Sequence, residues 1–293
     1  MGLKCYLCGN EDFKTVSDRL RYGEKKTVAR CAGCDIVFIN PPMTREEEGV
    51  YYQQEYGKVF AREKDTTPEE LFNARNPEAA AYYDLVKPYL RKKDRCLELG
   101  CASGYFLNYI KDKVASVAGH EPFAAFRRYC EALGIPMIDD LEKCPDNAYD
   151  KIFMFFLLEH LSDPIPYLKN LDRILRPDGA LLMILPNIKD ALLTVYDIPA
   201  FRDFYFNIAH QFYYSKATLS LLLKKCGFTD YDIYPEQRYD LSNHINWMIA
   251  GKPGGQGKYN KVFGNATIRS YTEDLKKSFM CDTLFAVVKK IKS

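Results

Sequence analysis

The rhythm of apolar and polar positions changes along this chain, and the changes mark its elements. Residues 96–99, 117–121 and 135–140 are short runs of strand length, each holding an acid at or near its end: Glu98, Glu121 and Asp140. Residues 149–158 are almost continuously apolar, as a strand buried on both faces must be. A fifth run, residues 180–185, follows an amphipathic helical stretch and the turn Leu175-Arg-Pro-Asp-Gly179. Ser215 is placed to cap a helix over residues 216–226, which Gly227 ends. Further strand patterns cover residues 230–234 and 281–288. Upstream, a charged stretch over residues 44–65 carries Tyr51, Tyr52 and Tyr56, and Asp65-Thr-Thr-Pro68 caps a helical region reaching residue 90. Alternating strands and helices predict an α/β fold with a largely parallel, doubly covered sheet.

The chemistry concentrates in Cys96-Leu-Glu-Leu-Gly-Cys-Ala-Ser-Gly-Tyr-Phe-Leu107, where a strand ends in an acid and runs through Gly-x-x-x-Gly into a helix. Gly100 and Gly104 let the backbone approach a ligand closely. The turn sits at the carboxyl end of a strand, where open α/β sheets bind ligands. It is neither a P-loop nor the dinucleotide Gly-x-Gly-x-x-Gly. Glu98 would repel pyrophosphate but suits a cationic, hydroxyl-bearing ligand, which points to S-adenosylmethionine (SAM). Glu121 is placed to accept from both ribose hydroxyls, and Asp140 lies near the adenine edge.

With "Glu-His-x-x-Asp-Pro" at Glu159 to Pro164 and "Arg-Pro-x-Gly" at Arg176 to Gly179, the chain resembles a class I SAM-dependent methyltransferase. The resemblance implies a Rossmann-like, seven-stranded sheet with helices on both faces. Its last strand would run antiparallel between the fifth and sixth. The implied cofactor residues are Glu98, Gly100, Cys101, Ala102, Gly104, Tyr105, Glu121, Pro122, Asp140, Leu141, Phe156 and Leu157.

Four of the ten cysteines, Cys5, Cys8, Cys31 and Cys34, form two Cys-x-x-Cys pairs with the spacing of a four-thiolate zinc site. Residues 1–42 therefore read as a zinc ribbon. Residues 43–90 read as a helical cap region, and 91–293 as the methyltransferase domain. The ribbon resembles a module that precedes methyltransferases of surface-sugar pathways. With 47% hydrophobic residues, 27% charged residues and a net charge of +2, the chain has no basic excess. No apolar leader or membrane span is evident, so a cytoplasmic protein, with no membrane partner and as monomer or homodimer, is expected.

If the last strand is antiparallel, residues 235–279 leave from and return to the cofactor rim. This insert holds the sole tryptophan, Trp247, a glycine-rich run at 251–257, and more Lys and Arg than acids. It reads as a cationic lid over an anionic substrate. Candidate bases or substrate anchors are His160, His210 and His244. The expectation is transfer of a methyl group to a small anionic acceptor, a sugar nucleotide or phosphorylated precursor of a capsule or surface glycan, with O-methylation favoured. Nucleic acid is not expected as a partner. The alternatives are an RNA base methyltransferase using its zinc module to bind RNA, and a non-catalytic SAM-binding protein.

Overall fold

A computed structural model describes residues 3–23, 25–52 and 67–290. Tyr56 and the rest of the tyrosine-rich stretch beyond residue 52 lie outside the described residues.

Three antiparallel strands come first: β1 (Phe13–Ser17), β2 (Thr27–Cys31) and β3 (Val37–Asn40). Each cysteine pair sits on a tight turn. The Gly9 N–H donates to the Cys5 carbonyl at 2.8 Å, and the Asp35 N–H to the Cys31 carbonyl at 3.0 Å. A Cβ on Gly33 would stand 3.1 Å from the Cys8 sulfur, so the second turn needs glycine to pass the first. Helix α1 (Arg45–Val50) and helix α2 (Pro68–Val86) both begin with a capping box, Thr44 with Glu47 and Thr67 with Glu70. The second cap, Thr67, falls in the expected 65–68 segment.

The main domain then runs β4 (Arg95–Leu99), α3 (Tyr105–Ile110), β5 (Ser116–His120), α4 (Ala124–Ala132), β6 (Tyr149–Phe155), α5 (Pro164–Ile174) and β7 (Leu175–Pro186). After β7 come α6 (Ala191–Thr194), α7 (Pro199–Tyr205), β8 (Phe212–Tyr213), α8 (Lys216–Lys225) and β9 (Asp230–Glu236). Helices α9 (Leu241–Ala250) and α10 (Asn265–Lys277) precede the last strand, β10 (Thr283–Lys289). The sheet order is β5-β4-β6-β7-β10-β9, with β10 antiparallel to both neighbours. Its two faces alternate residue by residue. Ile152, Met154, Leu181 and Met183 pack with the α5 and α8 leucines, whereas Phe153, Phe155, Leu182 and Ile184 pack with Val86, Phe106 and Ile110. Such fully buried side chains each contribute about 1.5–3 kcal/mol.

The fold is the expected Rossmann-like one, but the sheet has six strands rather than seven. Residues 135–140 make only an isolated bridge, Gly119 to Met137. Pro136 has no N–H to donate, so the segment lies along β5 with two backbone bonds and forms no ladder. Residues 235–279 also differ from expectation: they are two packed helices, not a glycine-hinged flap. A Cβ on Gly255 would fall 2.2 Å from the Asn246 Cβ and 2.9 Å from the Asn243 Cα, so the glycine run is seated hard against α9. Asn246 Nδ2 donates to the Lys252 carbonyl at 2.7 Å and holds it there.

The ribbon is built into the main domain. Strand β8, from the excursion after β7, pairs antiparallel with β3 through Val37–Tyr213 and Phe38–Phe212. Cys5, Leu7, Ile36 and Phe38 belong to the same apolar cluster as Leu97, Met183 and Leu222. Lys225 of α8 donates to the Tyr6 and Leu7 carbonyls at 2.6 and 2.9 Å. No helix among the described residues is long and apolar enough to cross a membrane.

Phe38 is 4% exposed, with its ring 5.2 Å from Phe13 and 6.3 Å from Phe212. Phe38→Ala should cost about 3–5 kcal/mol and lower the midpoint of one transition that takes ribbon and sheet together. Separate transitions for the two in urea would show that they do not share a core.

Candidate active site

The cofactor turn is local in sequence and strained in conformation. Gly100, Ala102 and Gly104 all have positive φ, at 65°, 46° and 72°. A Cβ at Gly104 would meet Cys130 Sγ and Ile135 Cδ1 at 2.9 Å, so this glycine is required by space as well as by φ. Ala102, which pays a strain that glycine would not, donates its N–H to Glu121 Oε2 at 2.9 Å. The other Glu121 oxygen accepts from the Phe123 N–H at 2.9 Å. Burial raises the Glu121 pKa, and those two amides oppose the rise. Glu98, 3% exposed, is pushed well above the usual carboxylate range by burial, first, and then by Cys130 and Glu121. Its Oε2 and the Ser103 hydroxyl have no hydrogen-bond partner. The backbone of Gly100 and Ala102, which lines the cavities beside the turn, fits a polar ligand seated there.

Three cavities meet here. One, of about 240 Å³, is lined by Gly100, Ala102, Glu121, Pro122, Phe156 and Leu157 together with Tyr52 and His120. A second, also about 240 Å³, takes in Asp140, Leu141, His120 and Tyr167. The third, about 580 Å³, shares Gly100, Ala102, Phe156 and His160 with the first and adds Tyr105, His210 and His244. Nine of the twelve expected cofactor residues thus line these neighbouring cavities, with Gly100, Ala102 and Phe156 common to two of them. Glu98, Cys101 and Gly104 line none of the three.

The largest cavity also holds residues that sequence reasoning passed over: Arg21, Arg75, Tyr82, Glu159, Asp190, Arg238 and Asp282. Arg21 comes from the ribbon, where Nε donates to the Phe204 carbonyl at 2.6 Å and the guanidinium lies 3.6 Å from the Phe204 ring centre. Arg238 stacks 4.4 Å from the ring of Phe156, a residue itself held at φ 51°. Of the cations in the insert, only Arg238 lines this cavity, while Lys252, Lys258, Lys261 and Arg269 are exposed elsewhere. The expected cationic lid is therefore a single guanidinium. Glu159 had a signal in its motif, but nothing in the motif separates a ligand from a packing residue.

His160 and His210 stand together with ring centres 4.7 Å apart. His160 Nδ1 shares a 2.7 Å hydrogen bond with the Tyr52 hydroxyl. Burial pushes His160 down to about 4, His210 well below its usual range, and Glu159 up to about 8. His244 is apart from this pair in its bonding: Nδ1 meets the Tyr271 hydroxyl at 2.6 Å and burial lowers its pKa to about 4. All three imidazoles are neutral at neutral pH. Trp247 is 3% exposed and packed between Phe201 and Phe204, each 5.0 Å away, at the cavity wall.

A family model described as a methyltransferase domain matches residues 71–233. This chain belongs to that family. It is a SAM-dependent methyltransferase. A solved SAM-dependent methyltransferase from Archaeoglobus fulgidus shares the fold, with TM-score 0.52 and 20% identity over 80% of this chain and 100% of its own. Among curated relatives, a tRNA U34 carboxymethyltransferase of Aeromonas hydrophila is 29% identical over 52% of this chain and 50% of that protein. The enzyme of that name from Hydrogenovibrio crunogenus is 26% identical over 68% of this chain and 64% of its own length. The chain thus spans between half and two thirds of these relatives. Two expectations are corrected by these names. The small anionic acceptor of a capsule pathway finds no support, and the exclusion of nucleic acid as a partner falls with it, since the relatives are named for tRNA.

Glu121 bridges the turn and faces the cavity where a ribose would lie. Glu121→Ala should weaken SAM binding by about 1.5–3 kcal/mol, the range for hydrogen bonds to a charged group. Calorimetry on a folded variant with undiminished affinity would remove Glu121 from the cofactor site.

Proposed function

We propose that this methyltransferase alkylates a nucleobase of RNA, with tRNA as the substrate class. The 580 Å³ cavity carries the reading: it opens on the cofactor turn and is walled by Tyr82, Phe156, Phe201 and Trp247, with Arg21, Arg75 and Arg238 among them. A base must leave its stack to reach such a pocket, and aromatic faces and guanidinium planes are the groups that hold an unstacked base. Arginines also suit the flanking phosphates. The names of the curated relatives support the same acceptor.

When bound, SAM supplies an electrophilic methyl group. The residues of this chain align donor and acceptor. Gly100 and Ala102 seat the donor, Glu121 takes the ribose, and Asp140 and Leu141 border the adenine. Neutral His160 and His210 offer lone pairs at the acceptor end, and His244 anchors the far wall. Burial makes these imidazoles hydrogen-bond acceptors rather than stores of a proton.

Cys5, Cys8, Cys31 and Cys34 bring their sulfurs within 4.8 Å of one another, with Cys5–Cys34 at 3.6 Å and Cys8–Cys31 at 3.5 Å. Tetrahedral zinc with bonds of about 2.3 Å holds thiolates about 3.8 Å apart, so the cluster fits the ion. Zinc here is structural, and it fixes the ribbon that delivers Arg21. We assign residues 1–42 to the ribbon, 43–90 to the helical cap and 91–293 to the catalytic domain. Unpaired thiols and a tRNA substrate favour the cytoplasm.

Incubating the protein with SAM and unmodified tRNA, then digesting to nucleosides, should reveal one nucleoside of increased mass. With SAM as the only donor, the expected increment is that of one methyl group. Arg21→Ala should raise the tRNA KM about tenfold or more, the effect of losing a charged contact, and leave SAM affinity unchanged. No modified nucleoside across a full tRNA pool would refute the reading.

A further inference from the structure

We infer that Glu159, His160 and His210 form a binding site for one divalent first-row transition metal ion in the wall of the acceptor cavity. Each residue offers one ligand atom, and the three atoms lie within 4.8 Å of one another. His160 Nε2 is 3.9 Å from Glu159 Oε1. Metal bonds of about 2.0–2.2 Å place neighbouring ligands about 3.0–3.5 Å apart, so side-chain rotations close the set.

The polar atoms of this cluster are otherwise unexplained. Glu159 is 1% exposed, yet neither of its carboxylate oxygens meets a hydrogen-bonding group of another residue. His210 Nδ1 is buried and equally without a partner. Buried polar atoms are nearly always satisfied, and an unpaired carboxylate is among the most costly exceptions. A cation bound between the three would give the Glu159 carboxylate the partner it lacks.

His160 is oriented for ligation. If Nδ1 carries the proton, it donates to the Tyr52 hydroxyl at 2.7 Å and leaves the Nε2 lone pair toward Glu159. A ligating histidine characteristically spends its other nitrogen on such a bond, which fixes tautomer and ring plane. The Ala209 carbonyl lies close enough to the ring to offer a competing partner in the metal-free protein. Three ligands leave coordination positions open, and all three residues line the 580 Å³ cavity. An ion there would polarise an acceptor oxygen brought beside the cofactor turn. That use rests on the proposed nucleobase acceptor, whereas the site itself does not.

The donors separate this site from the cysteine cluster, because Mn²⁺ accepts nitrogen and oxygen ligands but competes poorly for thiolates, which hold zinc. The whole protein is dialysed against EDTA, elemental analysis fixes the zinc retained, and Mn²⁺ is titrated in with free ion followed by electron paramagnetic resonance. One Mn²⁺ per chain is expected. Glu159→Gln, nearly isosteric, should abolish binding without changing retained zinc or the far-ultraviolet circular dichroism. Tyr52→Phe should weaken binding about 10–100-fold, the effect of losing a partner behind a ligand, and it reports on the site even if Glu159→Gln fails to fold. Absence of Mn²⁺ binding to the wild-type protein at millimolar ion, or equal binding by wild type and Tyr52→Phe, would overturn the inference. Mn²⁺ binding with no activity on tRNA would count against the acceptor reading alone.

Discussion

The candidate site depends on a pairing only two residues long. Phe212 and Tyr213 join strand β3, and through them the chain that leaves β7 is tied to the cysteine ribbon. Without that ladder, the ribbon would be a separate lobe and the excursion after β7 a surface loop. With it, Arg21 reaches the acceptor cavity from one side, and His210, two residues before Phe212, is carried to His160 from another. The pairing is reinforced by Tyr6 against Phe212 at 4.3 Å and by the Tyr6–Tyr214 hydroxyl contact at 3.0 Å. Two hydrogen-bonded residues make a weak strand; the aromatic burial around them supplies the stability.

What could be read from the sequence was local. The strand, the Gly100–Gly104 turn and Glu121 could be read because they lie within some twenty residues and need no tertiary information. The strands follow from apolar runs for the same reason, and the antiparallel last strand followed from the family resemblance. Residues 135–140 misled because periodicity registers side chains, whereas Pro136 breaks the ladder through a missing backbone donor. The insert misled because a glycine run looks hinged; Gly255 is there for close packing against α9. Arg21 and Arg75 were out of reach, since only the folded chain brings residues so distant in sequence to one wall.

The acceptor was misjudged on charge. A net charge of +2 and a balanced ribbon argued against nucleic acid, but overall balance says little about one cavity. Arg21, Arg75 and Arg238 line it, Arg75 paired with Glu78 and Arg238 with Asp282, while burial raises Glu159 to about 8 and Asp190 to about 7. The exposed cations of the insert, which suggested a lid, face elsewhere. Local desolvation decides the field that a ligand meets.

The central claim is that ribbon, excursion and insert together build one acceptor cavity for RNA. Hydrogen–deuterium exchange, with tRNA and S-adenosylhomocysteine added to the full chain, tests it most directly. The account predicts slowed exchange in three separated segments at once, around residues 21–23, 201–211 and 238–256. Protection restricted to the cofactor turn, or the ribbon exchanging as in the free protein, would contradict it.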